Sequence, residues 1–121
     1  MATGKAVKRR PRSNDAQPRA RVPRTFSAFV KKHPDLAAAH EDIARAVDRS
    51  GPLDPKTCAL IKIGISLGAG LESAVRSHAR RAAEHGATRK EIEQTVLLAM
   101  NTVGFPRTVA AWQWVCGEDQ R

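Results

Sequence analysis

Residues 54–70 read DPKTCALIKIGISLGAG, and the way this stretch folds decides the class of the whole chain. Its large apolar residues alternate as they would in a β-strand, at Ile61, Ile63, Ile65 and Leu67. Asp54 followed by Pro55 is nevertheless a helix-start signal, because aspartate can cap free backbone amides and proline suits the first helical position. No stop signal follows before Gly68. We therefore predict a buried helix rather than a strand.

Two glycines close this stretch, and Gly-x-Gly after a strand would suggest a loop that binds a dinucleotide. That fingerprint also requires a third glycine, where this chain has Ser73, and at least one further strand to build a sheet. No later segment of the sequence has strand character. We therefore interpret Gly68 and Gly70 as the end of one helix and the turn into the next.

Helix start and stop signals recur along the rest of the chain. The predicted starts are Thr25, Asp35, Asp54, the capping box of Thr88 and Glu91, and Pro106. The predicted stops are Pro34, Gly51, Gly68, Gly86 and Gly104. The sequence therefore predicts an all-α fold of about six helices, without an internal repeat.

Two of the helices after Gly70 have clear apolar faces. The first face contains Leu71, Ala74, Val75, His78, Ala79 and Ala82, and the second contains Ile92, Val96, Ala99, Met100 and Val103. The charged residues of the first helix are expected to face away from the core, at Glu72, Arg76, Arg80, Arg81 and Glu84. His78 is the exception on its face, because it is a titratable ring among small apolar side chains.

Charge divides the chain at about residue 24. The whole sequence has 21 basic and 12 acidic residues and a net charge of +9, but eight basic residues and one acid lie in residues 1–24. The prolines of this basic tail and its lack of large apolar residues predict disorder. It is either a solvated tail or an arm for weak, non-specific contact with nucleic acid or another polyanion. Residues 25–121 then form one helical domain.

The sequence gives no sign of export or of membrane insertion. The tail lacks the apolar segment of a secretory signal, and the most apolar stretch, residues 58–71, is too short to span a bilayer and contains Lys62. Cys58 and Cys116 are far apart, so we expect reduced thiols rather than a disulfide. The expected location is the cytoplasm, with no membrane partner.

The position of His78 permits two interpretations. It is either a core histidine that is hydrogen-bonded to the backbone, or a group that exchanges protons in a pocket. A metal site is not expected, because His33, His40 and His85 are scattered and neither cysteine stands at ligand spacing to them. No acidic partner is visible either, since Glu72 falls on a different face of the same helix.

Three segments of the chain carry a family resemblance. They are PLDPKTCALIKIGISLGAG at residues 52–70, SHARRAAEHGATRKEIEQTVLLAM at residues 77–100 and GFPRTVAAWQWV at residues 104–115. In these segments the chain resembles the carboxymuconolactone decarboxylase and alkylhydroperoxidase D-like family, from about Thr25 to Glu118. The resemblance implies an alkylhydroperoxidase D-like helical subunit that assembles into trimers or hexamers, with active sites in pockets near subunit contacts.

The redox branch of this family reduces peroxides with a Cys-x-x-Cys pair, while a glutamate and a histidine relay protons. On this sequence the histidine corresponds to His78 and the glutamate to Ala59. The two cysteines correspond to Leu71 and Ala74, so the peroxiredoxin-type activity that the resemblance implies would have a degenerate redox site. The decarboxylase branch needs no cysteine, and in that branch His78 would act as an acid or a base.

Two classes of function remain open, and neither requires a cofactor. The first is a non-redox small-molecule enzyme or binder, with decarboxylase-like lyase or related chemistry if it is an enzyme. Its pocket would surround His78, with walls from Ala59, Ile63, Leu71 and Ala74. The second is a catalytically inactive oligomeric binding or scaffold protein with a polyanion-binding tail. A pocket open to solvent at His78 would favour the first class, and a collapsed site with His78 bonded to the backbone would favour the second.

Assembly into a homo-oligomer is expected on physical grounds as well. The chain has only two tryptophans and three phenylalanines, so the core of a single small domain would be marginally stable. Trp112 and Trp114 are two positions apart, about 200° around a helix, so both are not expected to face one core. We expect one of them to pack against a neighbouring chain.

Overall fold

The computed structural model describes residues 24–117, and these residues form six α-helices. In chain order the helices are α1 (Arg24–Lys32), α2 (Pro34–Asp48), α3 (Pro55–Gly68), α4 (Glu72–Glu84), α5 (Arg89–Leu97) and α6 (Phe105–Cys116). No β-strand occurs within residues 24–117, and the all-α prediction is confirmed. The predicted basic tail lies outside the described residues, except for Arg24 at the start of α1.

The stretch of residues 54–70 folds as helix α3, as its start signal predicts. The Asp54 carboxylate accepts a 2.8 Å hydrogen bond from the Thr57 amide, and Pro55 is the first helical residue. The hydrogen bonds from Thr57 also lower the pKa of the Asp54 carboxyl. The buried residues of α3 are Ala59, Ile63, Ser66 and Leu67. This is helical spacing, so only some of the alternating apolar residues reach the core.

The turn after α3 explains both glycines without a nucleotide. The Gly70 amide donates to the Leu67 carbonyl and the Leu71 amide to the Ser66 carbonyl, each at 3.0 Å, which is a Schellman end. Gly70 has a φ of +76°, a left-handed conformation that strains other residues. A Cβ at Gly70 would also lie 2.9 Å from Nη1 of Arg107, which donates a 2.8 Å hydrogen bond to the Leu67 carbonyl. Glycine is therefore the residue that fits position 70 without strain.

The connection from α4 to α5 follows the predicted signals. Gly86 has a φ of +96° and ends the helix, and the Ala87 amide donates to the Ala82 carbonyl at 2.9 Å. Thr88 and Glu91 then form the predicted capping box, with bonds of 3.1 Å to the Glu91 amide and 2.9 Å to the Thr88 amide. The Glu91 carboxylate also pairs with the Lys56 ammonium at 3.1 Å, which joins the starts of α3 and α5.

Two predicted caps at the beginning of the domain are wrong. Thr25 lies inside α1, which already includes Arg24. Helix α2 begins at Pro34 because the fixed φ of proline suits the first helical position, so Asp35 lies in the first turn instead of capping it. The same helix ends at Asp48, before the predicted stop at Gly51.

Helix α5 also ends earlier than predicted, at Leu97 instead of near Gly104. Residues 98–103 form successive turns, in which the Ala99 carbonyl accepts from the amides of Thr102, Val103 and Gly104 at 2.9–3.1 Å. Met100 and Val103 leave the predicted buried face and are 42% and 45% exposed. The helical period stops at Leu97, so side chains beyond it no longer follow the face of α5.

The core lies between helices α3 to α6. Its largest fully buried residues are Ile63, Leu67, Val75, Ile92, Val96 and Thr108. Trp112 and Trp114 are both partly buried and both pack against this core, so the premise that they cannot share it is wrong. The indole of Trp112 donates a 3.0 Å hydrogen bond to the Glu93 carboxylate.

Helices α1 and α2 form a hairpin that stands apart from this core. Neither helix contains a buried residue. Two ion pairs join α2 to the core helices, between Lys62 and Asp48 at 2.5 Å and between Arg81 and Glu41 at 3.6 Å. Because the hairpin buries so little, space remains between it and the helices α3 and α4.

Candidate functional site

His78 lies on α4 at the border between two faces of the helix. Val75, Ala79 and Ala82 form the buried face of α4 and pack into the core. His78 is three positions after Val75 and four before Ala82, so its ring leaves the helix at the edge of this face. The side chain is half-buried and faces the space beneath the α1–α2 hairpin.

That space is a cavity of ≈ 740 Å³ that opens to solvent. The hairpin contributes an apolar wall that includes Phe26, Phe29, Ile43 and Val47. The facing wall comes from α3 and α4 and includes Ala59, Ala74 and His78. A volume of this size is ordinary for a site that binds a small organic molecule.

The structure brings together three of the five residues that were expected at the site: Ala59, Ala74 and His78 line the cavity. Ile63 is fully buried in the core, on the side of α3 that faces the other helices. Leu71 precedes α4 and is 54% exposed, and it does not share the buried face on which the sequence placed it. Neither Ile63 nor Leu71 belongs to the lining of this cavity within residues 24–117.

The imidazole of His78 is electrostatically unusual. Burial lowers its pKa, the positive charges of Lys62 and Arg81 lower it further, and the Asp48 carboxylate partly opposes them. Its Nδ1 atom is buried and has no hydrogen-bond partner among the residues that the structure describes. Nδ1 therefore does not make the backbone hydrogen bond that the core-histidine interpretation requires. At neutral pH the ring is uncharged, so one nitrogen can accept a hydrogen bond and the other can donate one.

Basic side chains form much of the remaining lining. Lys62, Arg76, Arg80 and Arg81 line the cavity, together with one carboxylate, from Asp48. The three arginines were expected to face solvent on the side of α4 away from the core. They do leave the core, but the hairpin covers that side and turns it into a cavity wall. Periodicity of one helix could not reveal this, because it carries no information on where another helix packs.

The two thiols lie outside the cavity. Cys58 is partly buried on α3, with Sγ 3.5 Å from the Leu53 carbonyl, and Cys116 is buried on α6. Both are free cysteines. Neither belongs to the cavity lining in the described part of the chain.

Residues 24–117 contain neither a metal cluster nor a membrane-spanning helix. No group of three or more histidine, cysteine, aspartate or glutamate side chains there is arranged to hold a metal ion. Within the same residues, no helix has the length and apolar character required to cross a bilayer.

The fold agrees with what comparisons with known proteins show. The model of the carboxymuconolactone decarboxylase family matches residues 34–115, from the start of α2 to near the end of α6, and the chain belongs to this family. A similar solved structure is the apo crystal structure of a carboxymuconolactone decarboxylase family protein from Legionella pneumophila. It is 24% identical, with a TM-score of 0.64, and the match covers 79% of this chain and 86% of the other. At this identity the likeness concerns the fold. No curated protein matches the chain.

Proposed function

We propose that this member of the carboxymuconolactone decarboxylase family is a non-redox small-molecule enzyme or binder, with its site in the cavity around His78. The observation that carries the proposal is the buried Nδ1 atom of His78, which has no partner among the described residues, in a side chain that lines an open cavity. A buried polar atom without a hydrogen bond costs about 1–3 kcal/mol. Rotation of the imidazole about its χ2 bond would bring Nδ1 to the cavity, where a hydrogen bond to a bound molecule would remove that cost.

The role of His78 in a reaction would be proton exchange. Its lowered pKa keeps the ring neutral near pH 7, so it can accept a proton from a bound molecule or hand one on. Lyase or related chemistry of the decarboxylase type fits this role, because it requires an acid or base and no thiol. Ala59 and Ala74 leave room beside the ring, since neither side chain extends beyond Cβ.

The composition of the site argues against dithiol peroxidase activity. Such an enzyme needs one thiolate to attack the peroxide and a second within reach to resolve the intermediate. Leu71 and Ala74 can do neither, and Cys58 and Cys116 lie on different helices away from the cavity. We expect no thiol-dependent peroxide turnover above background, and no change in that background on Cys58→Ser.

Ligand screening by NMR tests the proposal. Neutral lactones such as γ-caprolactone and small organic acids would be titrated into the protein while the ring signals of His78 are followed. These signals should shift with at least one ligand, and His78→Gln should weaken its binding about tenfold, because the flexible amide does not hold a donor or acceptor where the ring nitrogen lies. His33→Gln, which changes a histidine outside the cavity, should leave binding unchanged.

The same experiment addresses the second class of function. If no ligand moves the His78 signals and the protein remains assembled, the chain is an inactive scaffold and the proposal is wrong. Binding that survives His78→Gln unchanged would also contradict it, because the cavity would then act without its histidine. Binding to nucleic acid through residues 1–24 would be separate from the cavity, and deleting that tail would remove it without affecting the His78 signals.

We also propose that the chain forms homo-oligomers in the cytoplasm. The support for assembly is the large number of half-exposed apolar side chains on several helices. Ile65 on α3, Leu98 after α5 and Phe105 on α6 are 66%, 64% and 62% exposed. Ile61, Leu98 and Val103 are 45%, 64% and 45% exposed and line one groove between α3 and the turns after α5. Contiguous apolar patches of this kind mark contacts. The two free cysteines support a reducing compartment.

A further inference from the structure

The cavity has two chemically different walls, and this difference indicates the class of its ligand. The hairpin wall is mostly apolar, with side chains such as Phe26, Phe29, Ile43 and Val47, and its polar members include His40 and Asp48. The α4 wall is formed by hydroxyl and guanidinium groups. A ligand that satisfies both walls must have an apolar body and a polar edge that accepts hydrogen bonds.

The polar wall follows from residue spacing on α4. Ser73, Ser77, Arg80 and Arg81 all line the cavity. At 3.6 residues per turn, these four positions fall within an arc of about 100° beside His78. Serine hydroxyls and guanidinium groups share the ability to donate hydrogen bonds to an oxygen. The arc therefore presents a continuous set of donors next to the neutral imidazole.

The cations of this cavity differ in whether a carboxylate already neutralises them. Arg76 is paired with Glu72 at 2.8 Å, and Lys62 with Asp48 at 2.5 Å. Arg81 has a longer contact of 3.6 Å with Glu41. Arg80 is half-buried and makes no ion pair or hydrogen bond with any residue from 24 to 117. It is therefore the cation of the lining whose charge no group among the described residues compensates.

We propose that the cavity binds a monoanionic organic acid with an apolar body, with the carboxylate held by Arg80 and the body packed against the hairpin wall. This inference rests on the proposed function and names the ligand class of the same site. An arginine fork binds a carboxylate through parallel charge-assisted hydrogen bonds, which neutral ligands cannot form. Ser77 and Arg81 lie on the same arc and supply further donors, while the apolar body would lie between Phe29 and His78.

The test uses octanoate and octanamide, which have the same apolar chain and differ in the charge of the headgroup. Isothermal titration at neutral pH would measure both against the wild-type chain. Octanoate should bind about tenfold more tightly than octanamide, the ratio expected from the additional charge-assisted bonds. Because the contact is electrostatic, this preference should fall as salt is added.

Three variants test whether Arg80 is the residue that holds the carboxylate. Arg80→Gln keeps a hydrogen-bonding side chain without the charge and should abolish the preference for octanoate, leaving octanamide affinity unchanged. Arg80→Lys keeps the charge without the fork and should retain part of the preference. Arg45→Gln removes an equal charge from α2 outside the cavity lining, and should leave the preference as it is in the wild type.

The outcomes separate this inference from the proposed function. If octanamide and octanoate bind equally and both move the His78 signals, the cavity binds small molecules but the anionic class is wrong. If the preference for octanoate survives Arg80→Gln, another group holds the carboxylate and the assignment of Arg80 is overturned. If neither compound binds while neutral lactones do, the inference fails and the proposed function stands.

Discussion

The imidazole of His78 lies where the buried face of α4 meets the cavity, and its protonation is therefore governed by both. Burial and the charges of Lys62 and Arg81 make the cationic form unfavourable, and the one opposing carboxylate, from Asp48, is itself paired with Lys62. Protonating this ring in the folded state is harder than in the unfolded chain. The lowered pKa has a consequence for stability as well as for chemistry.

We predict that His78 makes the folded state sensitive to mild acid. A histidine has an ordinary pKa of about 6.5, which the unfolded chain keeps. As the pH falls below that value, the unfolded state binds a proton that the folded state resists, so stability is lost. The wild type should lose more unfolding free energy between pH 7 and pH 5 than His78→Gln does. Urea denaturation at both pH values measures this difference.

The control for this prediction is His33→Gln, which removes a histidine from the exposed link between α1 and α2. It should keep the acid sensitivity of the wild type. Equal loss of stability in the wild type and in His78→Gln would show that the ring is protonated equally well in the folded and unfolded states.

A second prediction about a single residue concerns Gly70. Gly70→Ala would place a side chain in a left-handed conformation and bring its Cβ against the guanidinium of Arg107. We expect a loss of about 1–2 kcal/mol from the backbone conformation, and a weakened bond from Arg107 to the end of α3. Gly64→Ala is the matched control, because Gly64 is helical and has nothing within 4 Å of its added Cβ. It should stabilise the protein by about 0.5–1 kcal/mol in the same thermal melt.

These residues show what a sequence can predict about a site. His78 stands out because a titratable ring interrupts a face of small apolar residues, a local signal. Arg80 gave no such signal, because it looked like an ordinary solvent-facing residue of an amphipathic helix. Its place in the cavity depends on where α1 and α2 pack, and helix periodicity does not encode that position.

At the scale of helices, starts that depend on a local bond were predicted more reliably than ends. Asp54 and Thr88 cap α3 and α5 through their own side chains, three residues from the amides they bind. The end of α5 has no comparable signal, because residues 98–103 contain neither glycine nor proline and could have continued the helix. The turns there depend on the Ala99 carbonyl and on the approach of α6, which are tertiary effects.

We predict that the capping box of α5 can be tested with two substitutions at one position. Thr88→Ala removes the oxygen that accepts from the Glu91 amide and should cost about 1 kcal/mol of unfolding free energy. Thr88→Ser keeps the hydroxyl and should stay close to the wild type. Chemical denaturation compares the two, and an alanine variant as stable as the serine variant would show that the cap contributes nothing.

At the scale of the whole molecule, the cavity exists because the chain has two parts that bury unequal amounts of surface. Helices α3 to α6 share one core, whereas α1 and α2 contain no buried residue. The number of helices and their order were predictable from the helix start and stop signals in the sequence. The separation of the hairpin was not, because its apolar residues have the same spacing as those of helices that pack tightly.

We predict that assembly depends on the exposed apolar surface of the core helices. Ile65→Glu places a charge at a position that is 66% exposed in the single chain, so it should leave the fold and helicity intact. If Ile65 is buried between subunits, the charge must be desolvated there, and sedimentation should show a shift toward monomer. Lys90→Glu, at an exposed site on α5, should sediment like the wild type. A wild-type chain that is monomeric at micromolar concentration would contradict assembly altogether.

The hairpin also determines how readily part of the molecule unfolds locally. Segments with few buried contacts open locally at a free energy far below that of global unfolding. In a single chain, the amides of α1 and α2 should therefore exchange with solvent deuterium long before those of α3, whose inner face is fully buried. The hairpin wall of the cavity is thus expected to open before the rest of the domain. A ligand packed against the hairpin would oppose this opening, and its binding would be recorded as slower exchange in two helices that contribute no buried residue to the core.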